Sequence, residues 1–189
     1  MTAKPLSGRT IAIILANGFD EIEFVEPQKK LIEAGAVTKV ASRSNGLVNG
    51  WFENGWGHFF TVDMGMAETL AVDFDGLVLP GGFRAVQKLL EDPHAKRIVK
   101  AFIRAEMPVF VVGDAVQMLA LTEMVEGRTL TSSETARSAL EEAGAKWEEA
   151  AFSVDGNIVT VAGPAGVGEA VEQFITLVAD YQDEDAQAA

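Results

Sequence analysis

Apolar residues run almost unbroken from Thr10 to Ala16 (TIAIILA), the pattern of a strand covered on both faces of a parallel sheet. Asn17-Gly18 follows as a turn signal. Ile22, Val25, Leu31, Ile32 and Ala34 then recur at near-helical spacing up to Gly35, which predicts a helix closed by a C-cap glycine. The alternation repeats. Val37 to Ala41 reads as a second strand, and Gly76 to Leu79 as a third that runs into Pro80-Gly81-Gly82. Val86 to Leu90 and Ile98 to Ile103 carry helical patterns, Val109 to Val112 is a fourth apolar strand, and Ala115 to Met124 continues as a helix. Strands alternating with helices predict an α/β fold: a doubly wound, mostly parallel sheet with helices on both faces, in three layers.

Two stretches break the rhythm. Ser42 to Asp63 holds four glycines together with Trp51, Trp56, Phe59 and Phe60, and reads as an insertion containing a short hairpin. Near the end, Ala151 to Val154 and Asn157 to Val161 flank Asp155-Gly156, a dipeptide favoured at the centre of type I′ hairpins. Val167 to Tyr181 reads as a closing helix. Residues 1–181 are therefore expected to form one domain, with 182–189 a frayed acidic tail.

Composition narrows the function classes. The chain has 189 residues, 48% of them hydrophobic, enough for one domain with a sizeable core. Its net charge of −13 disfavours attraction to phosphate backbones or anionic lipid, so neither nucleic acid nor a membrane is an expected partner. There is no cysteine, which excludes disulfides, thiolate metal sites and thiol catalysis together. No leader-like segment opens the sequence, and no apolar run approaches the ~20 residues of a membrane span. A cytoplasmic location is the expectation.

In a doubly wound sheet, ligands bind beyond the carboxyl ends of the strands, near the point where strand order reverses. Three loops leave such ends: Asn17 to Glu23, Pro80 to Arg84, and Gly113 to Ala115. The third has the form of a nucleophile elbow, a sharp strand-to-helix turn that lifts one side chain above the sheet. Its apex is Gly113, which accepts a positive φ without strain and brings no reacting group. Asp114 stands where a helix start favours an acid, and capping is its expected role. Glu23 is a candidate general acid or base, because burial would push its pKa towards neutrality. If Glu23 and Asp114 converge, they form a carboxylate pair, although two carboxylates alone make a poor metal site. His58 and His94 lie too far apart in sequence to suggest a metal-ligand set; His58 falls in the aromatic insertion, within reach of a pocket. The aromatic residues of that insertion could line a pocket or a subunit contact. Ser132 and Ser133 lack a nearby histidine base.

Ala12 to Ser42, Phe74 to Gly82 (FDGLVLPGG), Pro108 to Ala120 (PVFVVGDAVQMLA), Thr129 to Ser132 and Ala143 to Val159 resemble, in order, corresponding blocks of the ThiJ/PfpI superfamily. The resemblance implies a flavodoxin-like fold similar to class I glutamine amidotransferases. It also implies an elbow cysteine followed by histidine, with a glutamate bonded to the thiol. In this sequence Glu23 matches the glutamate, Gly113 stands at the cysteine position and Asp114 at the histidine position. Amides of Gly81, Gly82, Gly113, Asp114 or Ala115 correspond to the oxyanion-stabilising region, but no nucleophile is present to form a covalent intermediate. The Gly-Asp-Ala wording is also similar to the non-catalytic C-terminal domain of large-subunit catalases.

The family's peptidase, glyoxalase and deglycase activities all lean on the missing cysteine. The resemblance thus implies a non-catalytic homo-oligomer, at least a dimer, with a stress-related, small-molecule-binding or scaffold role. The alternative is a cysteine-independent hydrolase, lyase or hydratase acting on a small carbonyl compound through Glu23. Neither a cofactor nor a metal is expected; the expected partners are a second copy of the chain and a small molecule.

Overall fold

The four apolar runs form the centre of a seven-stranded sheet in the computed structural model, which describes residues 3–181. The predicted tail at 182–189 lies outside the described residues. In chain order the elements are β1 (Thr10–Leu15), β2 (Phe19–Asp20), α1 (Glu21–Glu33), β3 (Val37–Ser42), β4 (Leu47–Phe52), β5 (Gly55–Thr61) and β6 (Met64–Gly65). They continue with β7 (Gly76–Leu79), α2 (Phe83–Leu90), α3 (Pro93–Arg104), β8 (Val109–Val112), α4 (Gln117–Ala120), β9 (Thr129–Leu130) and α5 (Glu134–Glu142). The last are β10 (Lys146–Trp147), β11 (Phe152–Asp155), β12 (Ile158–Val161) and α6 (Val167–Asp180).

The sheet runs β11-β12-β8-β7-β1-β3-β6, with all neighbours parallel except the β11–β12 hairpin. Helices α1 and α6 pack on one another, as do α2, α3 and α4, so the two groups sandwich the sheet. Ile11 to Leu15 are at most 1% exposed, which explains their continuous apolarity: water reaches neither face. A single core extends from Leu6 to Val178.

Asp20 starts α1 by accepting the N–H groups of Ile22 and Glu23 at 2.9 and 3.0 Å. Glu21 and Glu23 in the first turn suit the positive end of the helix. The helix ends at the expected glycine, Gly35, with φ +102°.

Three local expectations change. The insertion is a full hairpin, β4–β5, turning through Glu53 and Asn54, both left-handed (φ 46° and 66°) as a type I′ turn requires. The C-terminal hairpin instead turns through Gly156 and Asn157, with only Gly156 left-handed. Asp155 stays in its strand because its carboxylate accepts the Thr129 N–H at 2.7 Å and pairs with Arg128 at 3.2 Å. The predicted helix from Ala115 to Met124 is a tight 3₁₀ turn, Gly113–Val116, followed by the single turn α4. The Thr122 hydroxyl takes the Leu119 carbonyl at 2.6 Å and Glu123 adopts φ 61°, which stops the helix.

Candidate functional site

From β1 the chain proceeds to β3 and β6 on one side and to β7, β8 and β12 on the other, so strand order reverses between β1 and β7. The crevice beyond their carboxyl ends is where such a sheet places ligands. A cleft of about 320 Å³ opens there, bordered by the loops after β1, β7 and β8.

Glu23 stands in the first turn of α1 and is 6% exposed. Its Oε2 accepts the Gly81 N–H at 2.7 Å. Burial, above all, pushes its pKa up to about 8; the charges of Asp20 and Asp114 add to the rise, and the Gly81 hydrogen bond offsets part of it. Gly81 is small by necessity, since a Cβ there would run into Glu23 Oε2 and come within 2.8 Å of the Val112 carbonyl. Gly82, at φ +108°, caps α2 hard against the Asp20 N–H and the Gly18 carbonyl.

Gly113 occupies the elbow with φ +57°. A Cβ built on it would point at Glu23, 3.4 Å from Oε1 and 3.7 Å from Oε2. Asp114 makes no capping hydrogen bond. Instead its Oδ1 accepts the hydroxyls of Ser133, at 2.5 Å, and Thr135. The Ser133 N–H in turn lies 3.4 Å from the Gly113 carbonyl. Glu23 and Asp114 border the same cleft without a mutual hydrogen bond, and the charge of Asp114 disfavours ionisation of Glu23.

Of the remaining predicted positions, Gly82 and Gly113 line the cleft. The Gly81 amide is engaged by Glu23, and Ala115 is fully buried behind the turn. Trp51 forms part of the rim, with the Arg84 guanidinium 3.7 Å above its ring. Arg84 closes the predicted Pro80 to Arg84 loop, whereas Thr135 was marked by no pattern in the sequence and arrives through the packing of α5 on the elbow.

The remaining aromatic residues and both histidines divide between other tasks. Phe60 joins Phe19 and Phe24 in a cluster of edge-to-face rings 5.1 to 5.4 Å apart that fixes the hairpin to α1. His58 serves the same join: Glu21, 5% exposed, accepts its backbone N–H at 2.5 Å and pairs with Nδ1 at 2.9 Å. His94 stands in the first turn of α3 and does not line the cleft. Among the described residues, no cluster of three or more His, Asp or Glu side chains could hold a metal ion.

A family model described as DJ-1/PfpI matches residues 9–177. The chain belongs to the DJ-1/PfpI family. An uncharacterized protein of Staphylococcus aureus is 37% identical over 155 residues, 80% of this chain and 88% of the relative. One from Staphylococcus saprophyticus is 33% identical over 175 residues, 91% and 99% of the two chains. Among solved structures, the ThiJ/PfpI domain protein of Brachyspira murdochii superposes with a TM-score of 0.84 at 24% identity, covering 93% of this chain and 99% of that one. Schizosaccharomyces pombe DJ-1 gives 0.79 at 18% identity, with 93% of each chain covered. These likenesses agree with the mixed α/β architecture. Glu23 and the elbow glycine Gly113 both lie within the matched residues. No helix among the described residues is long and apolar enough to cross a membrane.

Proposed function

We propose that this DJ-1/PfpI protein binds a small oxygen-bearing molecule in the cleft over Gly113 and performs no covalent catalysis there. The observation that carries the reading is the open Cβ direction of Gly113, 3.4 Å from Glu23 Oε1. A side chain at that position would meet the carboxyl; glycine leaves the space to a ligand. With a pKa of about 8, Glu23 holds its proton at neutral pH. Because Oε2 already accepts the Gly81 N–H, the proton belongs on Oε1, where it can be donated to a carbonyl or hydroxyl oxygen of the ligand.

The test is restoration. Gly113→Cys is expected to gain glyoxalase or amidase activity from a silent parent. Turnover by the parent itself, abolished by Glu23→Gln, would overturn the non-catalytic reading. It would favour the second one, in which Glu23 is the general acid and base of a hydratase, lyase or hydrolase acting on a small carbonyl compound. The single observation on that side is again the pKa near working pH, where acid–base catalysis is most effective.

The proposed assembly is a homodimer. Ile22, Val25 and Phe52 are 46%, 42% and 38% exposed around an apolar hollow of about 630 Å³ between α1 and the hairpin, the type of surface that subunit contacts cover. Light scattering that reports a monomer at micromolar concentration would remove this part of the proposal.

A further inference from the structure

A second polar cleft, of about 310 Å³, lies at the carboxyl ends of β1 and β3 and shares no lining residue with the cleft over Gly113. Its buried acid is Asp92, with a side chain 2% exposed. Oδ1 is spent on the start of α3, accepting the N–H groups of His94 and Ala95 at 2.8 and 3.3 Å. Oδ2 accepts no hydrogen bond among the described residues. Arg43 Nε stands 3.5 Å from it, close enough to balance charge and too far for a well-made hydrogen bond. Buried carboxylate oxygens without a donor are rare in folded proteins.

The mouth of the cleft has the opposite character. Arg43 is 75% exposed. Lys88 donates one Nζ proton to the Asn17 carbonyl at 3.0 Å and keeps two. Ser44 Oγ accepts from Asn17 Nδ2 at 3.2 Å, which leaves its hydroxyl proton to give. Ala16, Met66 and Leu89 supply an apolar wall.

A simple anion in this cleft would be repelled by Asp92, and a simple cation by Arg43 and Lys88. A molecule carrying both signs side by side satisfies all three. We infer that the cleft binds a free α-amino acid with a small apolar side chain, its ammonium on Asp92 Oδ2, its carboxylate on Arg43 and Lys88, and its side chain against Met66 and Leu89. Arg43, held only loosely at the surface, swings from above Oδ2 to the ligand carboxylate as the ammonium takes its place.

Titration of the intact protein with L-valine, followed by amide NMR, tests this. N-acetyl-L-valine lacks the ammonium and L-valine methyl ester lacks the carboxylate. The expected result is shifts centred on Asn17, Arg43, Ser44 and Asp92, with each derivative bound about tenfold or more weakly, as loss of one charge-assisted hydrogen bond predicts. Arg43→Gln, at an exposed position, and Asp92→Asn, which keeps a helix-capping side chain, weaken L-valine binding to a similar degree. The inference is overturned by no binding at about 10 mM, by derivatives that bind as well as L-valine, by unchanged affinity in both variants, or by shifts centred on Gly82 and Gly113 instead. It does not depend on the function proposed for the cleft over Gly113.

Discussion

Glu23 Oε2 accepts the Gly81 N–H at 2.7 Å, which joins the first turn of α1 to the loop behind β7 across the point where strand order reverses. That bond favours the carboxylate, yet burial and the charges of Asp20 and Asp114 outweigh it and hold the pKa at about 8.

A pH dependence of stability follows. Between about pH 4.5 and 8 the unfolded chain has released this proton while the folded chain keeps it, so folding takes up a proton. The contribution of Glu23 is fully present below that window and is lost as pH rises through it. A tenfold difference in proton affinity between the two states is worth about 1.4 kcal/mol. Urea unfolding at pH 5, 7 and 9 should therefore show Glu23→Gln gaining on the parent by on the order of 3 kcal/mol across the window, then levelling off. A difference that stays constant with pH would show that Glu23 ionises normally.

Gly113 is left-handed at φ +57°, with ordinary contact distances around a built Cβ. Gly113→Ala thus tests backbone strain almost in isolation, and should cost about 1 kcal/mol in denaturant unfolding. A neutral substitution would mean that the elbow relaxes to another conformation.

Gly81→Ala differs in kind, because its Cβ collides with Glu23 Oε2 and the Val112 carbonyl rather than with open space. Neither neighbour can withdraw without breaking the site. The expected loss is about 2 kcal/mol, together with a fall in the Glu23 pKa as the displaced carboxyl meets water; carboxyl NMR titration measures the latter.

Glu21 holds both the backbone N–H and the ring of His58, and is itself 5% exposed. Glu21→Ala leaves that N–H without its partner, at a cost of about 1–3 kcal/mol. Hydrogen exchange should accelerate along β5 and remain slow in β1. Uniform acceleration of both would indicate global rather than local loosening.

The buried strands were legible because their apolar runs report directly on what the sheet covers: Val109–Val112 and Gly76–Leu79 read from the sequence as they stand in the fold. Glu23 and Gly113 were legible because a strand end followed by a helix start marks a ligand crevice. The partners of Asp114 were not. Ser133 and Thr135 reach it from about twenty residues away because the loop before α5 docks on the elbow, and no local periodicity encodes that docking. The hairpin in the insertion was legible, but its full length and its turn at Glu53-Asn54 were not, for a related reason: its exposed face carries Trp56 and Phe59, 57% and 67% exposed, which blurs the alternation by which a half-buried strand is read.

All three tryptophans of the chain sit beneath a cation: Trp51 under Arg84, Trp56 under Lys88, and Trp147 under Arg137. Trp51 borders the cleft, and the indole N–H of Trp147 donates to Ser132, the neighbour of a cleft residue. The protein therefore carries its own optical reporters at the rim of its candidate site, and occupancy of the cleft can be followed by intrinsic fluorescence with no label attached.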